Sequence, residues 1–461
     1  MKTLDTLKLK ELKQGFGGEI VLPADPGYDA TRRIWNAMID KHPAVIARCA
    51  DAKDVARAVS FARDNRLALA VRGGGHNIAG SALVEDGMVV DLSGMKAVRV
   101  DPAAQRATVE GGATLADLDA ATQAHGLATP VGINSTTGVA GLTLGGGFGW
   151  LSRKFGMTVD NLESADVVTA DGSMVHASAT EHPDLFWALR GGSGNFGVVT
   201  RFVFRLHPVG PEVLTGLIAY PAAQAKSVLQ KYREFTATAP DELCVWAVLR
   251  LAPPLPFLPA EVHGTPIVVL AFAYVGDPKA GEPLVQPLRK FGVVAGEFIG
   301  VQPFAAWQQA FDPLLTTGAR NYWKSHNLTE LSDGLLDTTM AALANLPSPQ
   351  CEIFIAALGG AASRQPADAT AYAHRSTRFV MNVHSRWDAA ADDRRCIQWA
   401  RDFFQASAPF ASGGVYVNFM SDDEADRVSA AYGPNYRRLA EVKRKFDPNN
   451  LFSTNQNIKP A

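Results

Sequence analysis

The chain has 461 residues, 47% of them hydrophobic and 20% charged, with 44 basic against 46 acidic side chains and a formal charge of −2. That length exceeds one ordinary core, so two domains are expected. The balanced charge gives no reason to expect a nucleic-acid partner, and no apolar run approaches a bilayer span, so no membrane partner is expected.

The N-terminus, MKTLDTLKLKELKQGF, scatters charges among its leucines where a signal peptide needs an unbroken apolar stretch, and the expected location is cytoplasmic. A strand at VIARC comes next. Asp51 then caps a helix in which Val55, Ala58, Val59 and Ala62 recur at helical spacing. A second strand, 67–71, runs into VRGGGHNIAG at 71–80. Three consecutive glycines are entropically costly, and after a strand they point to backbone N–H groups approaching a phosphate or pyrophosphate. Arg72, Gly73, Gly74, Gly75 and Asn77 are the candidate contacts. His76 is either a turn histidine satisfied by backbone or a group at the edge of that guest.

Short strands at 88–92, 97–101 and 106–112 precede a helix over 115–125, closed by Gly126. Residues 132–149, GINSTTGVAGLTLGGGFG, hold seven glycines and almost no charge, which suits backbone packed on a large flat ligand. A hairpin turns through Asp171-Gly172. Gly192, Gly194 and Gly197 satisfy GxGxxG, but the run leaves a helix (183–189) and enters the strand VVTRFVFRL. A dinucleotide fingerprint needs the opposite order, so that reading is rejected, and only a nucleotide contact, at Val198, is expected.

Composition changes around 208–211 suggest a domain boundary. Beyond it, strands at 213–220, 244–250, 266–274, 351–358 and 377–387 alternate with helices at 222–236, 283–291, 333–345 and 388–404, suggesting a sheet covered by helices on one side. Asn382, His384 and Arg386 share one strand face, and Glu352 and Phe354 share another. From Gly414 a strand, VYVNF, pairs Tyr416 and Asn418 on one face. Helices and the tail LFSTNQNIKP follow. The four cysteines, Cys49, Cys244, Cys351 and Cys396, are far apart and read as small buried hydrophobes, so neither a metal site nor a disulfide framework is expected.

Five stretches in order, VRGGGHNIAG, residues 132–149, SGNFGVVTRFVF, RNYWKS at 320–325 and AYGPNYRRLAEVKRKFDPNNLFSTNQNI, resemble the berberine-bridge-enzyme-like branch of the FAD-linked oxidases. The likeness covers nearly the whole chain. It implies the α+β, two-lobed PCMH-type fold shared with vanillyl-alcohol oxidase and para-cresol methylhydroxylase. The FAD-binding domain would span 1–208, an α/β substrate domain with an antiparallel sheet 209–412, and a C-terminal segment, 413–461, would return to the first. It also implies FAD as cofactor, with His76 joined through a ring nitrogen to the flavin 8α-methyl carbon. Many members add a bond from a cysteine. Aligned on its glycines, this chain has Asn134 there, so a single bond is expected, as in bacterial 6-hydroxynicotine oxidase-type members. Thr137, Gly138, Gly141, Gly145, Gly146 and Gly149 would lie along the flavin. Asn455 and Asn457 would touch it or its ribityl chain, with a frayed terminus as the alternative.

The chemistry so implied is hydride transfer from a substrate C–H to flavin N5, proton removal by a nearby base, and reoxidation by dioxygen, with Val139 and Ala140 near the oxygen-reactive side. Tyr416 could be the base if a cation lowered its pKa, and Lys324 is the candidate cation, a solvated surface lysine being the alternative. Asn418 and Asn382 complete the expected catalytic set. Sugar-oxidising relatives place an acidic or amide residue near Phe354 and Ala356, and its absence here weakens the carbohydrate reading and favours a more apolar or amine substrate, within an expected class of small alcohols, amines or phenols. The alternatives are a dehydrogenase with another acceptor, a carbohydrate oxidase, or a flavin-holding module without turnover. The implied partners are a small-molecule substrate and dioxygen, with a homodimer left open.

Overall fold

Residues 19–205 build two sheets in the computed structural model, which describes residues 6–461. Part of the stretch read against a signal peptide, residues 1–5, lies outside the described residues. In the first sheet Val45–Arg48 and Leu69–Arg72 flank Met88–Asp91 in parallel, and Glu19–Val21 closes one edge antiparallel. The Asp51 carboxylate accepts from the backbone N–H groups of Lys53 and Asp54, and the helix Ala52–Asp64 buries Val55, Ala58, Val59 and Ala62 as its spacing demands. The triple-glycine loop leaves the carboxyl end of a parallel strand, where such sheets hold ligands. The second sheet is antiparallel, in the order Val98–Asp101, Arg106–Glu110, Val198–Arg205, Leu162–Val168, Met174–Ser178.

The second lobe is one antiparallel sheet of seven strands. Its order is Gly296–Pro303, Glu212–Pro221, Pro266–Tyr274, Leu243–Leu251, Glu352–Ala357, Phe379–Trp387, Arg320–Leu328. Strand alternation divides its residues. Val245, Leu270, Ile353, Ile355 and Val383 join the core beneath the helices Ala225–Thr238, Asp333–Leu343 and Asp393–Ser407, while Trp246, Ala271, Ala356 and Val380 belong to the core on the other face. Two strands escape the sequence reading. Gly296–Pro303 carries two glycines and is partly exposed, and Arg320–Leu328 is interrupted by Asn321, Lys324, Ser325 and Asn327. The helix expected at 283–291 begins earlier, at Pro278–Val285, because Asp277 caps it and proline suits its first position.

The stretch expected to be the strand VYVNF is instead a short 3₁₀ turn, Val417–Phe419. Phe419 N–H donates to Tyr416 O and Met420 N–H to Val417 O, so the backbone bonds close locally instead of along a sheet edge. The C-terminal segment packs Val415, Val417, Tyr432 and Leu439 against Phe196 and Phe202 of the first lobe. All four cysteines are free and buried. Among the described residues no helix is long and apolar enough to cross a membrane.

Candidate active site

A cavity of about 320 Å³ lies between the glycine loops of the first lobe and the face of the large sheet opposite the helices Ala225–Thr238, Asp333–Leu343 and Asp393–Ser407. Gly73, Gly74, Gly75, His76 and Asn77 line it, with Gly75 at φ +70. Asn134, Thr137, Gly138, Ala140 and Gly141 line it from the second glycine region. The two loops touch backbone to backbone: a Cβ on Gly74 would sit 2.3 Å from Gly138 N, and one on Gly138 would sit 2.3 Å from Gly74 N. No side chain fits between them, which accounts for glycine at both positions.

Val198, Gly194 and Asn455 form a further part of the wall. The tail is anchored there. Asn455 Nδ2 donates to Gly194 O at 2.8 Å, Thr454 Oγ1 to Leu69 O at 2.6 Å, and the buried Lys443 ammonium to Asn195 O, Phe452 O and Asp447 Oδ2. The terminus is therefore tied to the Gly192–Gly197 loop and to the strand that leads into the first glycine loop.

Several expected ligand contacts lie elsewhere. The Arg72 guanidinium turns away from the cavity to pair with Asp91 and donate to Thr31 O, so its role is to fix the strand end. Gly145, Gly146 and Gly149 make room for the protein's own groups. Added Cβ atoms would meet Asn418 Oδ1 at 2.1 Å, Tyr372 Cδ2 at 3.0 Å and Val131 O at 1.8 Å respectively. Val139 packs in the core of the first lobe while its neighbour Ala140 reaches the cavity, because residues 139–144 form a short helix. Asn457 is outside the wall, whereas Gln456 is in it.

The same holds for the cation expected to act on Tyr416, although Tyr416 itself lines the cavity. Lys324 sits on the opposite face of its strand from Trp323, which lines the cavity, and pairs with Asp423 at 2.6 Å and Glu424 at 3.4 Å. Tyr416 and Asn418 do meet: Asn418 Nδ2 and Gly147 N–H each donate to the Tyr416 hydroxyl at 3.0 Å. Burial nevertheless pushes Tyr416 up to about 12, and those two donors only partly offset it. No cation lowers it.

A different pair of titratable groups faces the cavity from the large sheet. Glu352 and His384 are register partners on neighbouring strands. His384 Nδ1 lies 3.1 Å from Glu352 Oε1, and Arg250 Nη1 donates to Glu352 Oε2 at 2.8 Å. Burial alone would raise the Glu352 pKa, but Arg250 and His384 hold it below the ordinary value, so it is ionised and accepts the Nδ1 proton. Burial lowers His384, with Glu352 opposing, and the ring is neutral. Its Nε2 is buried without a partner, as are Asn382 Oδ1, Trp323 Nε1 and Asn455 Oδ1, all in cavity-lining residues. Such orphaned polar atoms call for a polar guest.

His76 has its own orientation device. The Thr136 hydroxyl donates to Asn134 Oδ1 at 2.8 Å and so can only accept from His76 Nε2, also at 2.8 Å. That fixes the proton on Nε2 and leaves Nδ1 with a bare lone pair. Trp35 stacks on the ring at 5.0 Å, and Arg386 lies over Trp35. Although one edge of the ring reaches the cavity, burial first and Arg386 second push His76 down to about 3, so the ring is neutral.

Sequence reasoning passed over Trp35, Trp246 and Phe419, all of which line the cavity. Trp246 could have been found from its parity on the predicted strand 244–250. Trp35 precedes the first strand expected from sequence, where no pattern marks it.

The glycine-lined trench, the anchored tail and the unpartnered polar atoms suit a long cofactor with a flat ring and a pyrophosphate. A family model described as an FAD binding domain matches residues 43–178, and one described as berberine and berberine like matches 415–459. The chain is 32% identical over 456 residues to (R)-6-hydroxynicotine oxidase of Paenarthrobacter nicotinovorans, covering 96% of this chain and 97% of that one. It is 32% identical over 433 residues to an FAD-linked oxidoreductase of Dictyostelium discoideum, covering 92% and 91%. The crystal structure of 6-hydroxy-D-nicotine oxidase from Arthrobacter nicotinovorans superposes with a TM-score of 0.86 at 30% identity, covering 97% of this chain and 99% of that one. The chain belongs to the berberine-bridge-enzyme-like family of FAD-linked oxidoreductases.

Proposed function

We propose that this enzyme is an oxidase that holds FAD through one covalent bond from His76, oxidises a small alcohol, amine or phenolic substrate, and uses dioxygen as final acceptor. One observation carries the reading: two neutral histidines, His76 and His384, line the same cavity, and each keeps one ring nitrogen free of protein partners after its hydrogen bond is made.

Bound FAD supplies the two-electron acceptor for the substrate C–H bond. The backbone N–H groups of Gly73 to Asn77 suit its pyrophosphate, and Gly194 and Asn455 suit its nucleotide end. His76 Nδ1 is the nitrogen available for attachment, and Asn134 offers no thiol for a second bond. His384 Nε2 accepts the proton from the substrate O–H or N–H, while Glu352 keeps Nδ1–H in place and steadies the charged ring. The Tyr416 hydroxyl, already accepting two hydrogen bonds, retains its proton and is a donor to the substrate. Asn382 Oδ1 is a further acceptor for a substrate polar group. Phe354, Trp246 and Phe419 give the site aromatic walls that favour an apolar or amine substrate over a carbohydrate. Four free, buried thiols suit a reducing compartment, and the proposal includes the cytoplasm.

The test is anaerobic mixing of purified protein with a panel of aromatic alcohols, amines and phenols. Bleaching of the flavin band by at least one of them, followed by hydrogen peroxide when air is admitted, is the expected result. Bleaching without peroxide would point to a dehydrogenase, and no bleaching across the panel to a flavin-holding module.

A further inference from the structure

A second cavity of about 70 Å³ adjoins the first, and Ile133, Trp246, Leu315, Glu352 and Phe354 line both. Its floor continues the same sheet face. Val248 and Arg250 follow Trp246 at strand alternation, and Val269 stands opposite Val248 in register. Ala271 stands between Trp246 on one side and Leu217 on the other. The opposite wall includes Leu255 and Phe257 from the run PPLPFLP, whose prolines at 253, 254, 256 and 259 restrict the loop.

Apart from the Arg250–Glu352 pair, this face turns apolar across the strands. Asn382 and His384 occupy one strand, Glu352 and Phe354 the next, Trp246 and Val248 the third, Val269 and Ala271 the fourth. Among the described residues, the charged side chains that line the second cavity are Arg250 and Glu352, which neutralise one another at 2.8 Å. What remains is apolar and preformed, which suits a hydrocarbon group better than water.

We infer that this chamber seats an apolar arm of the substrate. The carbon to be oxidised lies at His384, and an alkyl or alkyl-aryl arm runs across the strands past Phe354 and Trp246 to end among Val248, Val269 and Ala271. Three inter-strand steps of about 4.8 Å each give a run of about 14 Å. The substrate class is therefore an amphipathic alcohol or amine with an elongated apolar tail. The direction of the arm rests on the proposed oxidation at His384, but the affinity of the chamber for hydrocarbon does not.

The test uses two probes that the flavin cannot oxidise, benzamide and 4-butylbenzamide, titrated into the purified holoenzyme with the flavin spectrum and tryptophan fluorescence as readouts. Wild type should bind the butyl compound at least about tenfold tighter, a gain that two or three buried methylene groups supply. Val248→Phe, which fills the chamber, should abolish that gain and leave benzamide affinity unchanged. Ala271→Leu should do the same and serves if the first variant fails to fold. Equal affinity of the two probes for wild type, no binding of either, or a gain that persists in a folded variant overturns the inference. Since no turnover is measured, these outcomes are separate from failure of the oxidase reading.

Discussion

His384 Nδ1 lies 3.1 Å from Glu352 Oε1, and the other nitrogen of the same ring is buried without a partner in the wall of the cavity. A neutral imidazole held in one tautomer by an ionised carboxylate is a prepared proton acceptor. Replacing His384 with alanine should slow anaerobic flavin reduction about a hundred- to ten-thousand-fold while flavin content stays that of wild type. Tyr416→Phe should keep most of the rate, since burial pushes that hydroxyl up to about 12 and it holds its proton. A severe loss in Tyr416→Phe with little loss in His384→Ala would reverse the two roles.

The pH dependence follows from the same pair. His384 must be neutral to accept a proton, and burial holds its pKa below the ordinary 6.5 despite Glu352. The reduction rate should therefore fall only as pH drops through a value under 6.5. Glu352→Gln removes the group that raises His384, so the acid limb should move to lower pH and the plateau rate should drop. Stopped-flow reduction across pH gives both quantities, and an acid limb that moves upward would contradict the assignment.

Thr136 determines which nitrogen of His76 is free. With Thr136→Val the hydroxyl that accepts from Nε2–H is gone, and the tautomer with a bare Nδ1 loses its support. The expected result is a smaller fraction of covalently held flavin at unchanged total flavin, read by comparing pellet and supernatant after acid treatment. Because burial and Arg386 push His76 down to about 3, attachment should show no acid limb between pH 5 and 8.

Gly74 and Gly141 should respond differently to alanine. A methyl on Gly74 would strike Gly138 backbone, which cannot move aside as a flexible side chain could, so Gly74→Ala should fail to accumulate as folded flavoprotein. Gly141 has nothing within 4 Å of its added Cβ and lines the cavity. Gly141→Ala should fold with the wild-type circular dichroism spectrum and hold less flavin.

Lys443 and Asp447 form an ion pair with both side chains fully buried, and Lys443 also donates to Asn195 O and Phe452 O. Removing one partner leaves the other charge buried alone, at a cost of about 3 to 5 kcal/mol. Asp447→Ala should lower the melting temperature and, since the pair joins the tail to the Gly192–Gly197 loop, flavin occupancy with it. An unchanged melting temperature would mean that the tail carries no such load.

The first glycine loop was legible because it follows a strand and spends three glycines in a row, a cost only close backbone approach explains. The covered sheet was legible from strand and helix periods. The His384 to Glu352 bond was half legible: alternation put each on a face, but which strands are neighbours is a matter of long-range pairing that no local pattern records. Gly145, Gly146 and Gly149 misled because a glycine demanded by a ligand and one demanded by the protein's own Asn418 or Val131 look the same in sequence. Lys324 misled by a single residue of parity, which in a strand reverses the face.

Denaturing acid precipitation of the purified enzyme, followed by spectroscopy of pellet and supernatant, tests the proposed His76–flavin bond directly. Wild type should give a yellow pellet and a colourless supernatant, and His76→Ala should release all its flavin or hold none. A wild-type pellet without colour, or colour retained in the His76→Ala pellet, would contradict the account.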